Sequence, residues 1–324
     1  MATIASARLA CALACMLACA PAAAQDARAW LESQGLEAVE LRAFENLEIA
    51  VASLKGASVR EEKLIVLRQG KPVWQTTTKE APPGSRWTLH LVGPDLDGDG
   101  RPDMHVSSFS GGAHCCTTHY VVQLKPQPRL VASYYAGNVG GGEFVDIAGR
   151  KAPVLISADD SGAGVFAPYA TSYFPVVILE VSPHGRMQFA RDLMRSRLPG
   201  QPPPVCATPA PALNPWLHER CAEFTATRSR ERTANIKSRL EAVKADRSAE
   251  KLKWQDYYDA GVTGAVAAEL NRYAYTGHGN AGVSWLETVW PGNDPVKLQL
   301  LAALRQAHVK SVFAADLRAL ALAR

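Results

Sequence analysis

Short apolar runs, each bounded by turn residues, dominate the chain between Leu47 and Val181. Runs of four to ten residues rich in Val, Ile, Thr, Tyr and Trp are typical of β-strands. Glycine and proline clusters such as Gly70-Lys71-Pro72 and Pro183-His184-Gly185 separate them, so we expect an antiparallel β domain. The predicted strands are Leu47–Leu54, Leu64–Leu67, Val73–Thr78, Trp87–Val92, Met104–Phe109, Tyr120–Leu124, Leu130–Tyr135, Val154–Ser157 and Ser172–Val181.

Helical spacing of apolar residues appears before and after this β region. It predicts an N-terminal helical segment at 25–44 and a helical domain at 216–324. The proline-rich segment 199–215 continues neither a helix nor a central strand, which is typical of a semi-rigid linker. The predicted fold class is therefore α+β, with an antiparallel β domain at 45–198 followed by the helical domain.

The end of the helical domain carries a clear start signal. Asp294-Pro295 has the form of an N-cap residue followed by proline at the first helical position. We predict two final helices, at about 295–308 and 310–323, and a core that also takes up the tryptophans of this region. The residues predicted to be buried are Leu298, Leu301, Leu304, Val312, Phe313 and Leu317, with Trp254, Trp285 and Trp290.

The first 24 residues have the features of a secretory signal peptide. An apolar run from Leu9 to Ala20 is followed by Ala22-Ala23-Ala24, the small-residue pattern of a cleavage site. We predict a signal peptide at 1–24, a mature chain from about Gln25, and a periplasmic or secreted location. Lipid attachment at Cys19 is a second alternative. No later apolar run has the length of a membrane span, so we predict no transmembrane segment.

Cysteine usage agrees with export. Three of the seven cysteines lie in the predicted signal peptide, and the remaining four, an even set, suit disulfide formation in an oxidising compartment. We predict a bond between Cys206 and Cys221, across the proline-rich segment, and a vicinal bond between Cys115 and Cys116 in a turn. If Cys115 and Cys116 instead lie in a strand, their side chains point to opposite faces, and one pairs with Cys206 or Cys221.

The most specific chemical signal is the nine-residue segment Asp95-Leu96-Asp97-Gly98-Asp99-Gly100-Arg101-Pro102-Asp103. Four carboxylates at this spacing repel one another unless a cation lies between them, and two glycines permit a tight wrap. Calcium takes six to eight oxygen ligands at about 2.3–2.6 Å. We predict side-chain ligation by Asp95, Asp97, Asp99 and Asp103, with the backbone carbonyl of Arg101 as a fifth ligand. The alternative is a solvated acidic hairpin loop.

This loop does not fit an EF-hand, whose twelfth position is a bidentate Glu, because that position is Val106. A short β-type run follows instead, so the loop enters a strand. The segment is similar to the calcium-binding FG-GAP repeats of integrin-type and related bacterial β-propellers, whose loops read Asp-x-Asp-x-Asp-Gly-x-x-Asp before a strand. The resemblance implies a β domain that is partly propeller-like; a sandwich of similar repeats is the alternative.

A second segment, Asp146 to Ser157, repeats the rhythm of the first without its ligands. Ala148 stands where Asp97 stands in the first copy, and nothing replaces Asp99. We therefore expect this copy to form a similar turn without a metal ion.

Charge and catalytic motifs add little. The formal net charge is +4, and the basic run Arg228 to Arg239 lacks interleaved aromatic residues, so we expect no nucleic-acid partner. The chain has no Gly-x-Ser-x-Gly elbow, His-Glu-x-x-His motif or phosphate loop. Two polar clusters, Asp159-Asp160-Ser161-Gly162 and Gly277-His278-Gly279-Asn280, are typical of turns.

We therefore expect an exported calcium-binding protein that acts as a non-enzymatic binding module of the bacterial envelope, with an envelope protein or a polysaccharide as its partner. The alternative is an envelope hydrolase or a thiol or metal redox protein. That alternative uses the cluster His114-Cys115-Cys116-His119, with His105 nearby, because thiolates and imidazoles bind zinc and copper.

Overall fold

A computed structural model describes residues 25–57, 61–77, 84–112, 116–207, 215–246 and 252–322. The predicted signal peptide at 1–24 lies outside the described residues. Within the described part, the chain forms three four-stranded antiparallel sheets and then a C-terminal helical region, and none of these sheets closes into a barrel. The predicted α+β fold class is confirmed.

The sheets share one plan, because each is a meander of four consecutive strands. The first contains β1 (Leu36–Phe44), β2 (Leu47–Leu54), β3 (Glu62–Arg68) and β4 (Lys71–Gln75). The second contains β5 (Arg86–Val92), β6 (Asp103–Phe109), β7 (Thr117–Gln123) and β8 (Arg129–Gly137). The third contains β9 (Glu143–Val145), β10 (Val154–Ala158), β11 (Val176–Val181) and β12 (Met187–Phe189). All nine predicted strands overlap these elements, whereas β1, β9 and β12 were not predicted.

The N-terminal segment differs from its prediction. Residues 25–33 form helix α1, but the chain then turns at Gly35, whose φ is +70°, and continues as β1. The prediction of a helical segment as far as residue 44 is therefore wrong. Leu36 and Val39 are spaced as on one face of a helix, whereas Val39 and Leu41 are spaced as in a strand. Pairing with β2 from Leu36 to Phe44, interrupted at Val39, decides for a strand.

The first two sheets share a hydrophobic core. Alternate residues of β2 and β3, such as Ile49 and Val66, pack with Leu89, Met104 and Val122 of the second sheet. The opposite face of β2 is covered by α1, where Leu31 is fully buried. Burial of both faces explains why β2 is apolar at nearly every position instead of alternating.

The helical region is built from short helices around one core. Its elements are α2 (Arg191–Met194), α3 (Pro215–Ala222), α4 (Ala226–Asp246), α5 (Trp254–Asp259), α6 (Val262–Tyr275), α7 (Gly279–Val289), α8 (Pro295–Lys310) and α9 (Ala314–Leu322). Trp290 is fully buried in this core, and the partly buried Trp254 and Trp285 pack against the core. The predicted N-cap is present, since Asp294 accepts a hydrogen bond from the backbone N–H of Val296 at 2.9 Å.

Part of the predicted burial in the last two helices is wrong. Leu298 is 53% exposed and Val312 62% exposed, whereas Leu304, Phe313 and Leu317 are buried as predicted. In α8 the buried stripe runs through Val296, Leu300, Leu304 and Ala307, and it shares only Leu304 with the predicted stripe. With leucine on several sides of α8, the sequence alone does not decide which side faces the core.

The described chain divides into two compact units between Tyr134 and Tyr135. The third sheet falls in the same unit as the helices, whereas the sequence placed the boundary at the proline-rich segment 199–215; the predicted domain bounds stay predictions. As far as Ala207, that segment contains a 3-10 turn at Pro204–Ala207, with Val205 buried. The predicted disulfide between Cys206 and Cys221 is present and joins this turn to α3.

Candidate metal sites

The acidic loop connects β5 to β6, as predicted for a loop that enters a strand. Two backbone hydrogen bonds close its base, from Gly93 N–H to the carbonyl of Asp103 at 2.8 Å and from Asp103 N–H to the carbonyl of Pro94 at 2.9 Å. Leu96 anchors the loop, because its side chain is fully buried between the half-buried Asp95 and Asp97. The loop is thereby attached firmly to the end of the second sheet.

Three of the predicted ligands converge. One carboxylate oxygen from each of Asp95, Asp97 and Asp99 lies within 4.8 Å of the others. The backbone shapes this arrangement, since Gly98 and Gly100 adopt φ values of +78° and +88° and their N–H groups donate to the Asp95 carboxylate at 2.7 and 2.9 Å. These left-handed conformations favour glycine. The loop therefore holds three negative charges close together.

Asp103, the first residue of β6 and the fourth predicted side-chain ligand, lies outside this group of three converging carboxylates. Its side chain is fully buried, and its Oδ2 accepts a hydrogen bond from the N–H of Leu96 at 2.8 Å. Its Oδ1 accepts no hydrogen bond from any described residue. Burial, followed by the charges of Asp97, Asp99 and Asp95, raises the pKa of Asp103 to about 7. A buried carboxylate oxygen without a donor is costly, and a cation is a partner that removes this cost.

The charges within the loop also act on one another. Burial raises the pKa of Asp97, and the neighbouring carboxylates of Asp99 and Asp95 raise it further. The guanidinium of Arg101 lies 3.6 Å from Asp99 Oδ2 on the exposed side and offsets part of this charge. The backbone carbonyl of Arg101 stays a predicted ligand.

A residue that the sequence analysis did not single out orients the loop from β7. Gln123 is fully buried and donates from Nε2 to Asp99 Oδ2 at 2.6 Å, while its Oε1 accepts from Arg129 Nε at 2.8 Å. Gln123 pairs with Asp103 in the β6–β7 register. A polar residue directly after the apolar run Tyr120-Val121-Val122 was the available signal, but only the register shows that it faces the loop.

Without a bound ion, the Asp103 carboxyl group is expected to stabilise the folded protein less as the pH rises. Because its folded pKa is about 7 instead of the ordinary 3.8, this group binds fewer protons in the unfolded chain than in the folded chain between these values. Its contribution to the free energy of unfolding therefore falls as the pH rises through this window. We expect the melting temperature of the wild type, taken relative to that of Asp103→Asn in excess chelator, to fall from about pH 5 to about pH 8. A constant difference between the two proteins would contradict this assignment.

Three histidines form a second cluster on the same sheet. One ring nitrogen from each of His90, His105 and His119 lies within 4.8 Å of the others. His105 Nε2 and His119 Nδ1 are 3.0 Å apart, and His90 stacks on His105 with ring centroids 4.4 Å apart. His105 and His119 are buried, and burial, together with the neighbouring imidazoles, lowers their pKa values to about 2 and about 4. Both rings are therefore neutral near pH 7, the form that binds metals.

The predicted thiol and imidazole cluster is only partly described. His114 and Cys115 lie outside the described residues, and Cys116 is disulfide-bonded, with a partner that is not among them. The vicinal bond between Cys115 and Cys116 therefore stays a prediction. Of the histidines, the structure brings His105 and His119 together and adds His90, which the sequence analysis did not include.

The two remaining polar clusters are structural. Asp159 is buried and accepts hydrogen bonds from the Tyr275 hydroxyl at 2.6 Å and from the Ser311 hydroxyl. Asp160 accepts from the N–H of Asn138 at 2.9 Å, and His278 bonds to the carbonyl of Ser196, also at 2.9 Å. Each group links segments distant in sequence, which is what satisfied buried polar residues do.

No family model matches this chain, and neither the curated proteins nor the solved structures include a match. Among the described residues, no helix combines the length and the apolar character needed to cross a membrane. The case for a function therefore depends on the chemistry of the side chains described above.

Proposed function

We propose that this chain is an exported calcium-binding protein that acts as a non-enzymatic binding module of the bacterial envelope. One observation carries the proposal: the carboxylates of Asp95, Asp97 and Asp99 converge beside the buried Asp103, whose Oδ1 accepts no hydrogen bond from any described residue. Turn formation alone accounts for aspartate and glycine in a loop, but not for a fourth aspartate inside the sheet. A bound cation accounts for the converging loop aspartates and for the buried Asp103.

The donor set favours calcium over the other common ions. All predicted ligands are oxygens, four of them carboxylates, which suit hard cations and not zinc or copper. Magnesium usually keeps several water molecules and takes one or two carboxylates, whereas calcium accepts many oxygens in a flexible geometry. When bound, the ion would offset two of the negative charges of the loop and fasten the β5–β6 hairpin, a structural role.

The second, degenerate copy of the motif supports a repeat. Its loop connects β9 to β10, and the acidic loop connects β5 to β6, so each joins the first and second strands of a four-stranded meander. Equivalent positions in equivalent sheets are what a repeated unit predicts. The resemblance to FG-GAP repeats stays a prediction. Asp146, at the start of the degenerate loop, is exposed. This loop has Ala148 at the position that Asp97 takes in the acidic loop.

Three features favour a location outside the cytosol. The first is the predicted signal peptide at 1–24. The second is the disulfide between Cys206 and Cys221, since disulfides persist in oxidising compartments. The third is the ion, because extracellular calcium modules bind at about 10⁻⁴–10⁻³ M, a concentration range found outside the cytosol. The partner is proposed to be an envelope protein or a polysaccharide.

Calorimetric titration of the mature chain with calcium tests the proposal. We expect one calcium ion per chain, with affinity in the range of extracellular modules, about 10⁻⁴–10⁻³ M. Asp97→Asn removes one charge from the converging group and is expected to weaken binding at least about tenfold. Asp146→Asn removes a charge from the degenerate loop, at the position that aligns with Asp95, and should leave binding unchanged. Absence of calcium uptake at millimolar concentrations, or equal effects of the two substitutions, would refute the proposal.

A further inference from the structure

The histidine cluster offers a different kind of metal site from the acidic loop. Its donors are imidazole nitrogens from three neighbouring strands: His90 from β5, His105 from β6 and His119 from β7. Their ligating atoms lie within 4.8 Å of one another. Two nitrogens bound to one zinc ion at about 2.1 Å with tetrahedral angles lie about 3.4 Å apart. His105 Nε2 and His119 Nδ1 share a hydrogen bond of 3.0 Å, and the two nitrogens would separate by about 0.4 Å to bind the same ion.

We propose that His90, His105 and His119 bind a divalent transition-metal ion of the zinc type. Imidazole suits zinc, copper and nickel, whereas calcium prefers oxygen. Three histidines leave one coordination position of a tetrahedral ion for water or another exchangeable ligand. The two proposed sites of the second sheet therefore take ions of different chemical classes.

Strand alternation places the three histidines on one face of the sheet. The core side chains Leu89 and Val106 are paired and lie on the other face, so the adjacent His90 and His105 both point away from the core. His119 pairs with Ser107, two residues from His105, and lies on the same face as His105. The β5–β6 register shifts between Leu89 and Leu91, so His90 is also the extra residue of a bulge, a feature that is frequent beside functional sites.

The two nitrogens of the His119 ring differ in their surroundings. Its Nδ1 shares a hydrogen bond with His105 Nε2, whereas its Nε2 has no hydrogen-bond partner among the described residues, although the ring is only 1% exposed. The ring can bind one ion through only one of these nitrogens. The grouping of three imidazoles, and not the unpaired nitrogen, is therefore the observation that supports the metal.

The surroundings orient the rings and leave an approach for the ion. Ser107 Oγ lies 2.8 Å from His90 Nε2, and hydrogen bonds of this kind fix the ring orientation of metal-binding histidines. The ring of Tyr134 lies nearly parallel to that of His119, with centroids 6.1 Å apart and an interplanar angle of 12°. His90 is exposed, whereas the other two histidines are buried. The exposed member is therefore the one by which an ion enters and exchanges.

Cobalt(II) titration of the metal-free mature protein tests the site, because cobalt occupies zinc sites and reports nitrogen coordination by visible absorption. We expect one cobalt ion per chain, displaced by one equivalent of zinc. His90→Gln is expected to weaken binding at least about tenfold. The matched control is His184→Gln, at an exposed histidine of the β11–β12 turn, which should bind like the wild type.

His90 is exposed, so His90→Gln tests the site without disturbing buried packing, and circular dichroism checks that its fold is kept. The same titration in Asp97→Asn with excess calcium separates the two metal sites, and we expect the cobalt spectrum to be unchanged there. Loss of cobalt binding in Asp97→Asn with retention in His90→Gln would assign the ion to the acidic loop and overturn this proposal. Absence of a saturable visible band in the wild type would overturn it as well.

Discussion

Calcium is expected to raise the melting temperature of the wild-type protein and to leave that of Asp103→Asn unchanged. An ion that binds only the folded state stabilises it by about 2.7 kcal/mol at a concentration of 100 times its dissociation constant. Asp103 is the carboxylate on which this gain depends most, because its side chain is fully buried and one oxygen accepts no hydrogen bond from any described residue. Thermal unfolding followed by circular dichroism, in excess chelator and in excess calcium, measures the difference.

Asp103→Asn tests the effect of the charge, because asparagine has nearly the same size and shape as aspartate. Its side-chain oxygen can still accept the hydrogen bond that Leu96 N–H donates to Asp103 Oδ2 at 2.8 Å. In chelator near neutral pH we expect this variant to be at least as stable as the wild type, because it removes a carboxylate whose pKa is raised to about 7 by burial and by its charged neighbours. Asp146→Asn serves as the control and should keep the full calcium response. An equal calcium response in Asp103→Asn would exclude Asp103 as a ligand.

Breaking the disulfide between Cys206 and Cys221 is expected to lower the free energy of unfolding by about 3 kcal/mol. The two cysteines are 15 residues apart, and the bond joins the 3-10 turn at Pro204–Ala207 to α3. In the chain-entropy model, the bond stabilises the fold by restricting the unfolded chain. Chemical denaturation of the double variant Cys206→Ala/Cys221→Ala, beside the oxidised wild type, measures the loss.

The single variants distinguish the cross-link from ordinary side-chain packing. Cys206→Ala and Cys221→Ala each remove the bond completely, so each should lose nearly as much stability as the double variant. Losses that instead add up to that of the double variant would mean that the two side chains contribute by packing. The same loss is expected when the protein is made in a reducing compartment, which connects this bond to the proposed export.

The acidic loop shows how far a local pattern can be predicted. The position of the loop before a strand depends on residues within nine positions of one another, and short-range spacing with glycine at positive φ is enough to determine it. Gln123 was not predicted, although it donates to Asp99 at 2.6 Å, because it comes from β7, and its place beside the loop follows from strand register.

In the segment after α1, the local sequence pattern does not decide the secondary structure. Some of its apolar residues have helical spacing and others have strand spacing, and Gly35 together with pairing to β2 decides for a strand. In α8, leucines occur on several sides, and packing against the helical core selects Leu300 and Leu304 while leaving Leu298 exposed. Local propensity is weak where two structures fit, so tertiary contacts decide.

The sequence by itself determined the α+β class, the β-strands with strong apolar patterns, the Cys206–Cys221 pair and the acidic loop, because each depends on composition or on residues near in the chain. Only the tertiary structure decided that His90 joins His105 and His119. These three residues come from three strands, and the register that pairs β5 with β6 and β6 with β7 has no local sequence signature. Grouping distant side chains requires the sheet to form first, since strand pairing and register, not chain spacing, set their distances.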